Sequence, residues 1–152
     1  MGGGWSLHPA ADLPLPSVAG RAALPALLAR SEVVINLLPL TERTRGLLDR
    51  VFFAELPRGA AVVNLARGAH VVDADLLAAL DDGQVGHAVL DVFHTEPLPP
   101  DHRYWRHPQV TLLPHAAAQT DARSAAAVVA HNLRAIAQGH APRHGVDRSR
   151  GY

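Results

Sequence analysis

Four residues able to do chemistry sit where short apolar runs end. Arg67 follows the run 61–65, Asp91 and Glu96 follow the run 88–90, and His115 follows 110–113. A guanidinium is a planar fork that grips a carboxylate or a carbonyl oxygen. An imidazole gives and takes protons near neutral pH. A carboxylate beside it holds the ring in one orientation and favours its protonated form. This set suits reduction of a 2-oxo acid, with Arg67 orienting the substrate and His115 protonating its oxygen as hydride reaches carbon. Read singly, Arg67 would serve equally to cap a helix or form an ordinary ion pair.

The elements that must position these residues are legible as alternating patterns. Residues 61–65 are a short apolar run with paired valines, as in a fully buried strand. Residues 73–81 read as a helix: Asp73 can cap it, Leu76, Leu77 and Leu80 share a face, and Gly83 ends it. Residues 88–90 open a second buried strand that ends in Asp91. Strand, helix, strand predicts a parallel unit, and in such sheets ligands bind beyond the carboxyl ends of the strands.

Flanking segments extend the pattern. Residues 23–30 predict a short helix with Pro25 in its first turn, and 33–38 a buried strand closed by Pro39. Thr41, Thr44 and Gly46 mark a polar loop before a short helix at 49–56. Residues 97–108 are irregular, with Tyr104 and Trp105 expected to pin them to the domain. Residues 110–113 predict a fourth strand, and 121–138 a long helix with Thr120 as N-cap and Gly139 just past its end. Its apolar stripe of Ala122, Ala125, Ala126, Val129, Leu133 and Ile136 should face the core. The fold class is therefore α/β with a mainly parallel sheet. Three segments follow: an irregular start over 1–20, a partial dinucleotide-type domain over 21–140, and a polar tail over 141–152.

Composition narrows the function classes. The 152 residues are 48% hydrophobic and 18% charged, which suits a globular domain. Fourteen basic and fourteen acidic residues balance, giving no broad electrostatic case for nucleic acid or an anionic membrane. Cysteine is absent, which excludes disulfides and thiolate metal sites and fits a cytoplasmic protein. No apolar run approaches the roughly 20 residues of a membrane span. The ten histidines are scattered, with no His-x-His or His-x-x-x-His pair on a predicted element, so no metal site is expected. A hydrolase triad would need a Gly-x-Ser-x-Gly elbow, and none occurs.

Three motifs in order, Asn64-Leu65-Ala66-Arg67-Gly68, Leu90-Asp91-Val92-Phe93-His94-Thr95-Glu96-Pro97 and Pro114-His115, resemble those of the D-isomer-specific 2-hydroxyacid dehydrogenases. The resemblance covers about residues 20–140 and implies a truncated, Rossmann-like, doubly wound, mainly parallel sheet. Ile35-Asn36-Leu37-Leu38-Pro39 and the closing Val146-Asp147-Arg148-Ser149-Arg150-Gly151-Tyr152 look most like the glyoxylate/hydroxypyruvate reductase branch. The resemblance implies that Arg67 binds substrate, Glu96 pairs with the catalytic histidine and His115 donates the proton. It implies that Asp91 contacts the nicotinamide carboxamide. Pro39, Thr44, Leu65, Ala66 and Ala117 match positions that line the cofactor, together with Arg67 and His115 themselves. The cofactor implied is NAD or NADP, with NADPH favoured by the branch. The substrate implied is a small 2-oxo acid, glyoxylate or hydroxypyruvate, and the full-length enzymes of the family are expected to be homodimers.

The sequence departs from the family in two respects, the Gly-x-Gly-x-x-Gly turn and the substrate-domain segment that precedes it. No Gly-x-Gly-x-x-Gly occurs. Gly2-Gly3-Gly4 has no strand before it, and Trp5-Ser6-Leu7-His8-Pro9 follows where a helix should begin. The region near Trp5-Ser6 looks like the end of the family's second nucleotide-domain strand. The chain is thus expected to be a C-terminal portion of the family's length, with little or no activity alone and an exposed apolar edge near 33–38. The alternative reading is a non-catalytic α/β remnant acting as a binding or interaction module.

Overall fold

The computed structural model describes residues 2–9 and 14–146. The chain forms two compact units, one ending at His115 and the other beginning at Ala116. The closing motif lies outside the described residues from position 147 onward.

The first unit opens with two short parallel strands, β1 (Gly4–Ser6) and β2 (Ser17–Ala19). The start over 1–20 is therefore not wholly irregular. Three-residue strands rich in Gly and Ser leave no alternation for a sequence pattern to catch. The main sheet consists of β3 (Val33–Asn36), β4 (Ala60–Asn64), β5 (Val85–Leu90) and β6 (Val110–Leu112). These four pair in parallel in the order β3-β4-β5-β6, the α/β architecture that the alternating pattern predicts. Asn36 lies opposite Asn64, Asn64 opposite Leu90, and Leu90 opposite Leu112. The carboxyl ends are therefore level, and every loop that leaves them starts from one edge. β3 is the outer strand of this sheet, and Val33 and Ile35 are both 57% exposed there.

Helices cover the sheet because their apolar residues need a partner. α1 (Leu24–Leu28) is shorter than the 23–30 pattern because a turn of 3-10 helix at Arg21–Ala23 precedes it, and Pro25 falls in its first turn. α2 (Arg50–Ala54) buries Phe52 and Phe53, and Asp49 caps it by accepting from the Phe52 amide at 2.9 Å. α3 (Asp73–Asp81) buries Leu76, Leu77 and Leu80, and Gly83 just beyond it adopts φ 75°. Together with Leu48, Val62, Val85 and Leu90 these side chains form the core.

Two predicted caps move by one residue. The cap of α3 is Val72, and Asp73 is the first helical residue. Its carboxylate is engaged from outside the helix, accepting from the Tyr104 hydroxyl at 2.9 Å. Burial, with the Asp73 charge, pushes that hydroxyl above its ordinary range. Tyr104 thus pins the segment 97–108, whereas Trp105 is 54% exposed and donates only to the Pro99 carbonyl inside the same segment. In the second unit, α4 (Ala122–Ala137) is capped by Asp121, not Thr120, because the Asp121 carboxylate accepts from the amides of Arg123 and Ser124. No residue of α4 is buried, so its apolar stripe does not line a core as expected. Periodicity establishes that a helix has an apolar face, but not what covers it.

Removing the α2 cap isolates one local interaction. Asp49→Ala is expected to destabilise the first unit by about 1 kcal/mol. Urea unfolding followed by tryptophan fluorescence measures this, and an unchanged midpoint would show that the cap is not used.

Candidate active site at the carboxyl edge of the sheet

Beyond β4 the chain runs through Leu65 and Ala66 to Arg67. The Asn64 side chain, fully buried, shapes this turn: its Oδ1 accepts from the Ala66 amide at 3.2 Å and its Nδ2 donates to the Arg67 carbonyl at 3.0 Å. Arg67 itself is exposed and extended, and one guanidinium nitrogen donates to the Ala66 carbonyl at 2.6 Å. Gly68 then enters a turn of 3-10 helix, Gly68–His70. A β-carbon at Gly68 would overlap the Phe93 carbonyl and the His94 amide. Only glycine lets the Arg67 turn lie directly against the loop that follows β5.

That loop carries Glu96. One carboxylate oxygen accepts from the Phe93 amide at 2.9 Å, which folds the side chain back onto its own loop. The other lies 2.7 Å from His115 Nδ1. His115 arrives from β6 through Leu113 and Pro114, and adopts φ 55°, a left-handed conformation that a non-glycine residue seldom holds. The Glu96 and His115 side chains are 38% and 49% exposed, so the pair faces solvent. The hydrogen bond from His115, then that from the Phe93 amide, holds the Glu96 carboxyl below its ordinary range, and the Arg67 charge adds to the effect. Glu96 and His115 therefore meet at the carboxyl edge of the sheet, where the Arg67 charge acts on the Glu96 carboxyl. With Nδ1–H donating to Glu96, Nε2 is the ring nitrogen left to exchange a proton with a ligand.

The other residues singled out from the sequence divide into two groups. Pro39 is exposed and Leu65 half-buried, and they follow β3 and β4, whose ends are neighbours. Ala66 is buried, and Asp91, at the end of β5, is 1% exposed. Thr44 is also 1% exposed, and its hydroxyl is committed inside its own loop, donating to the Pro39 carbonyl at 2.7 Å and accepting from the Thr41 amide at 2.8 Å. Thr44 thus shapes the loop that presents Pro39. Ala117 belongs to the second unit. Asn64 and Gly68 lay inside the motif without an assigned role, and their equivalent signal was positional: an Asn at a strand end and a Gly after the cation.

A level parallel sheet with a cation, a carboxylate and an imidazole at its carboxyl edge defines a dinucleotide-domain type of site. The D-isomer specific 2-hydroxyacid dehydrogenase, NAD binding domain, matches residues 10–117, and the chain belongs to this family. It superposes on a D-isomer specific 2-hydroxyacid dehydrogenase from Xanthobacter autotrophicus, in complex with NADPH and MES, with TM-score 0.94 and 43% identity, covering 99% of this chain and 62% of that one. A family member from Klebsiella pneumoniae matches with TM-score 0.87 and 41% identity over 97% of this chain and 47% of that one. The NADPH-dependent glyoxylate/hydroxypyruvate reductase of Sinorhizobium meliloti, in complex with NADP and sulfate, matches with TM-score 0.91 and 37% identity over 99% of this chain and 49% of that one. The chain therefore spans between 47% and 62% of the length of these relatives.

The charge state of Glu96 is directly measurable. A carboxyl held below its ordinary value keeps its bond to His115 at and above that value, and loses it as pH falls through the lowered midpoint. Carbon-detected NMR titration is expected to place the Glu96 midpoint below 4.5, and His115→Ala to raise it. A wild-type midpoint at or above 4.5 would contradict the pairing.

Proposed function

We propose that this chain provides the nicotinamide end and the acid–base machinery of an NAD(P)H-dependent reductase acting on a small 2-oxo acid. The observation that carries this reading is the 2.7 Å contact between Glu96 and His115 Nδ1, within reach of the Arg67 charge. Arg67 holds the substrate carboxylate through its guanidinium fork. Glu96 fixes the His115 ring, so that the Nε2 proton points to the substrate oxygen and passes to it as the alcohol forms. Exposed Pro39 and half-buried Leu65 offer an apolar shelf on adjacent strand ends, which fits one face of a nicotinamide ring. When bound, that ring supplies the hydride that reduces the carbonyl carbon.

Glyoxylate or hydroxypyruvate is the substrate pair this reading favours, and NADPH the preferred cofactor. Support comes from the Sinorhizobium meliloti reductase and from the NADPH complex of the Xanthobacter autotrophicus enzyme. This chain spans 62% and 49% of the lengths of these two relatives.

The assay follows oxidation of NADH and NADPH separately with each 2-oxo acid, for the 152-residue chain and for the full reading frame that encodes it. The longer form is expected to turn over and the short chain to show little activity. His115→Gln in the active form should lower kcat by roughly 10²–10⁴-fold. Robust turnover by the short chain would remove the need for a longer polypeptide. Silence from both would favour the non-catalytic reading, an α/β module that binds without reacting.

A further inference from the structure

Among the described residues, five polar side chains are buried: Asn36, Thr44, Asn64, His70 and Asp91. Four of them form one hydrogen-bonded chain beneath the two loops that follow β3 and β4. Asn36 Nδ2 donates to Asn64 Oδ1 at 3.0 Å, and Asn64 Nδ2 donates to the Arg67 carbonyl at 3.0 Å. His70 Nδ1 lies 3.1 Å from that same carbonyl, and Nε2 lies 3.3 Å from the Pro39 carbonyl. The Pro39 carbonyl also accepts from the Thr44 hydroxyl at 2.7 Å. His70 is the link that joins the two halves, and it is fully buried. Its ring thus stands between the backbone of the residue proposed to grip the substrate and the backbone of the residue proposed to face the nicotinamide.

We infer that His70 is a positioning residue that holds the Arg67 turn and the Pro39 loop at a fixed separation. The inference rests on the roles proposed above for Arg67 and Pro39, but its geometry does not. Either neutral tautomer donates to one of the two carbonyls, and the doubly protonated ring donates to both. Each carbonyl keeps a second donor, Asn64 Nδ2 on Arg67 and the Thr44 hydroxyl on Pro39, so losing the ring removes the tie between the two loops rather than their last hydrogen bond. Main-chain bonds hold the rest of the turn in place: the Gly46 amide donates to the Ala69 carbonyl at 2.9 Å, and the Leu48 amide to the His70 carbonyl at 2.9 Å. A change at His70 therefore acts on the two loop carbonyls more than on the turn.

Two substitutions separate the links. An asparagine amide reaches about where Nδ1 lies, and a glutamine amide about where Nε2 lies. His70→Asn is expected to keep the Arg67 contact and lose Pro39, and His70→Gln the reverse. In the purified 152-residue chain, amide ¹⁵N shifts of Leu40 and Gly68 report on the carbonyls that precede them. Leu40 should move in His70→Asn with Gly68 unchanged, and Gly68 should move in His70→Gln with Leu40 unchanged. In the full-length enzyme the same variants should split the kinetics: His70→Asn raises KM for NADPH several-fold, and His70→Gln raises KM for the 2-oxo acid. Both amides moving together in both variants, or neither moving in a folded variant, would overturn the inference. The split in amide shifts without any turnover by wild-type enzyme would keep the bridge and remove the proposed function instead.

Discussion

Gly68 sits against the backbone of Phe93 and His94 with no room for a β-carbon. This close approach brings the Arg67 turn and the Glu96 loop together. It works because the sheet delivers both loops at the same height. The ladder continues one residue past the strand ends: the Leu65 amide donates to the Asn36 carbonyl at 3.3 Å, Asp91 to Asn64 at 3.0 Å, and Leu113 to Leu90 at 2.9 Å. Each loop therefore leaves from a fixed point, and only a short reach remains before the functional side chains meet.

The meeting point is open to water. A pair as exposed as Glu96 and His115 adds little to stability, on the order of 0–1 kcal/mol for surface pairs in general. Its physical effect is orientation: one carboxylate oxygen is anchored by the Phe93 amide, and the other by the ring. His115 holds a left-handed backbone that a non-glycine residue occupies at a cost of about 1–2 kcal/mol. Strain of this kind is retained where the surrounding structure fixes it, and functional positions are where it gathers. The buried polar chain from Asn36 to Thr44 has the opposite character. It is shielded from water, fully partnered and therefore stiff. A stiff polar underlayer beneath an open edge keeps loop backbones fixed while their outer side chains stay available.

The sequence carried much of this. Apolar runs marked all four strands of the main sheet, and the leucines of 73–81 marked the longest helix of the first unit. A general rule about strand ends pointed to Arg67, Glu96 and His115 together, and the structure places the last two in contact. What escaped was of two kinds. β1 and β2 are too short to show a period. The polar underlayer joins residues up to 31 positions apart, and a buried His in Ala69-His70-Val71 looks the same in sequence as one facing solvent. Asn36 and Asn64 both closing their apolar runs was a faint signal of the pairing that the register makes real. The exposed stripe of α4 shows the limit from the other side, since an apolar face is written in the sequence and its partner is not.

A crystal structure of the chain with oxamate, an unreactive mimic of a 2-oxo acid, tests the convergence at the sheet edge. The expected result is the oxamate carboxylate on the Arg67 guanidinium, its carbonyl oxygen within hydrogen-bond reach of His115 Nε2, and Glu96 still on Nδ1. Oxamate bound away from Arg67, or Glu96 and His115 pointing apart with the ligand present, would contradict the assignment of this edge as the active site.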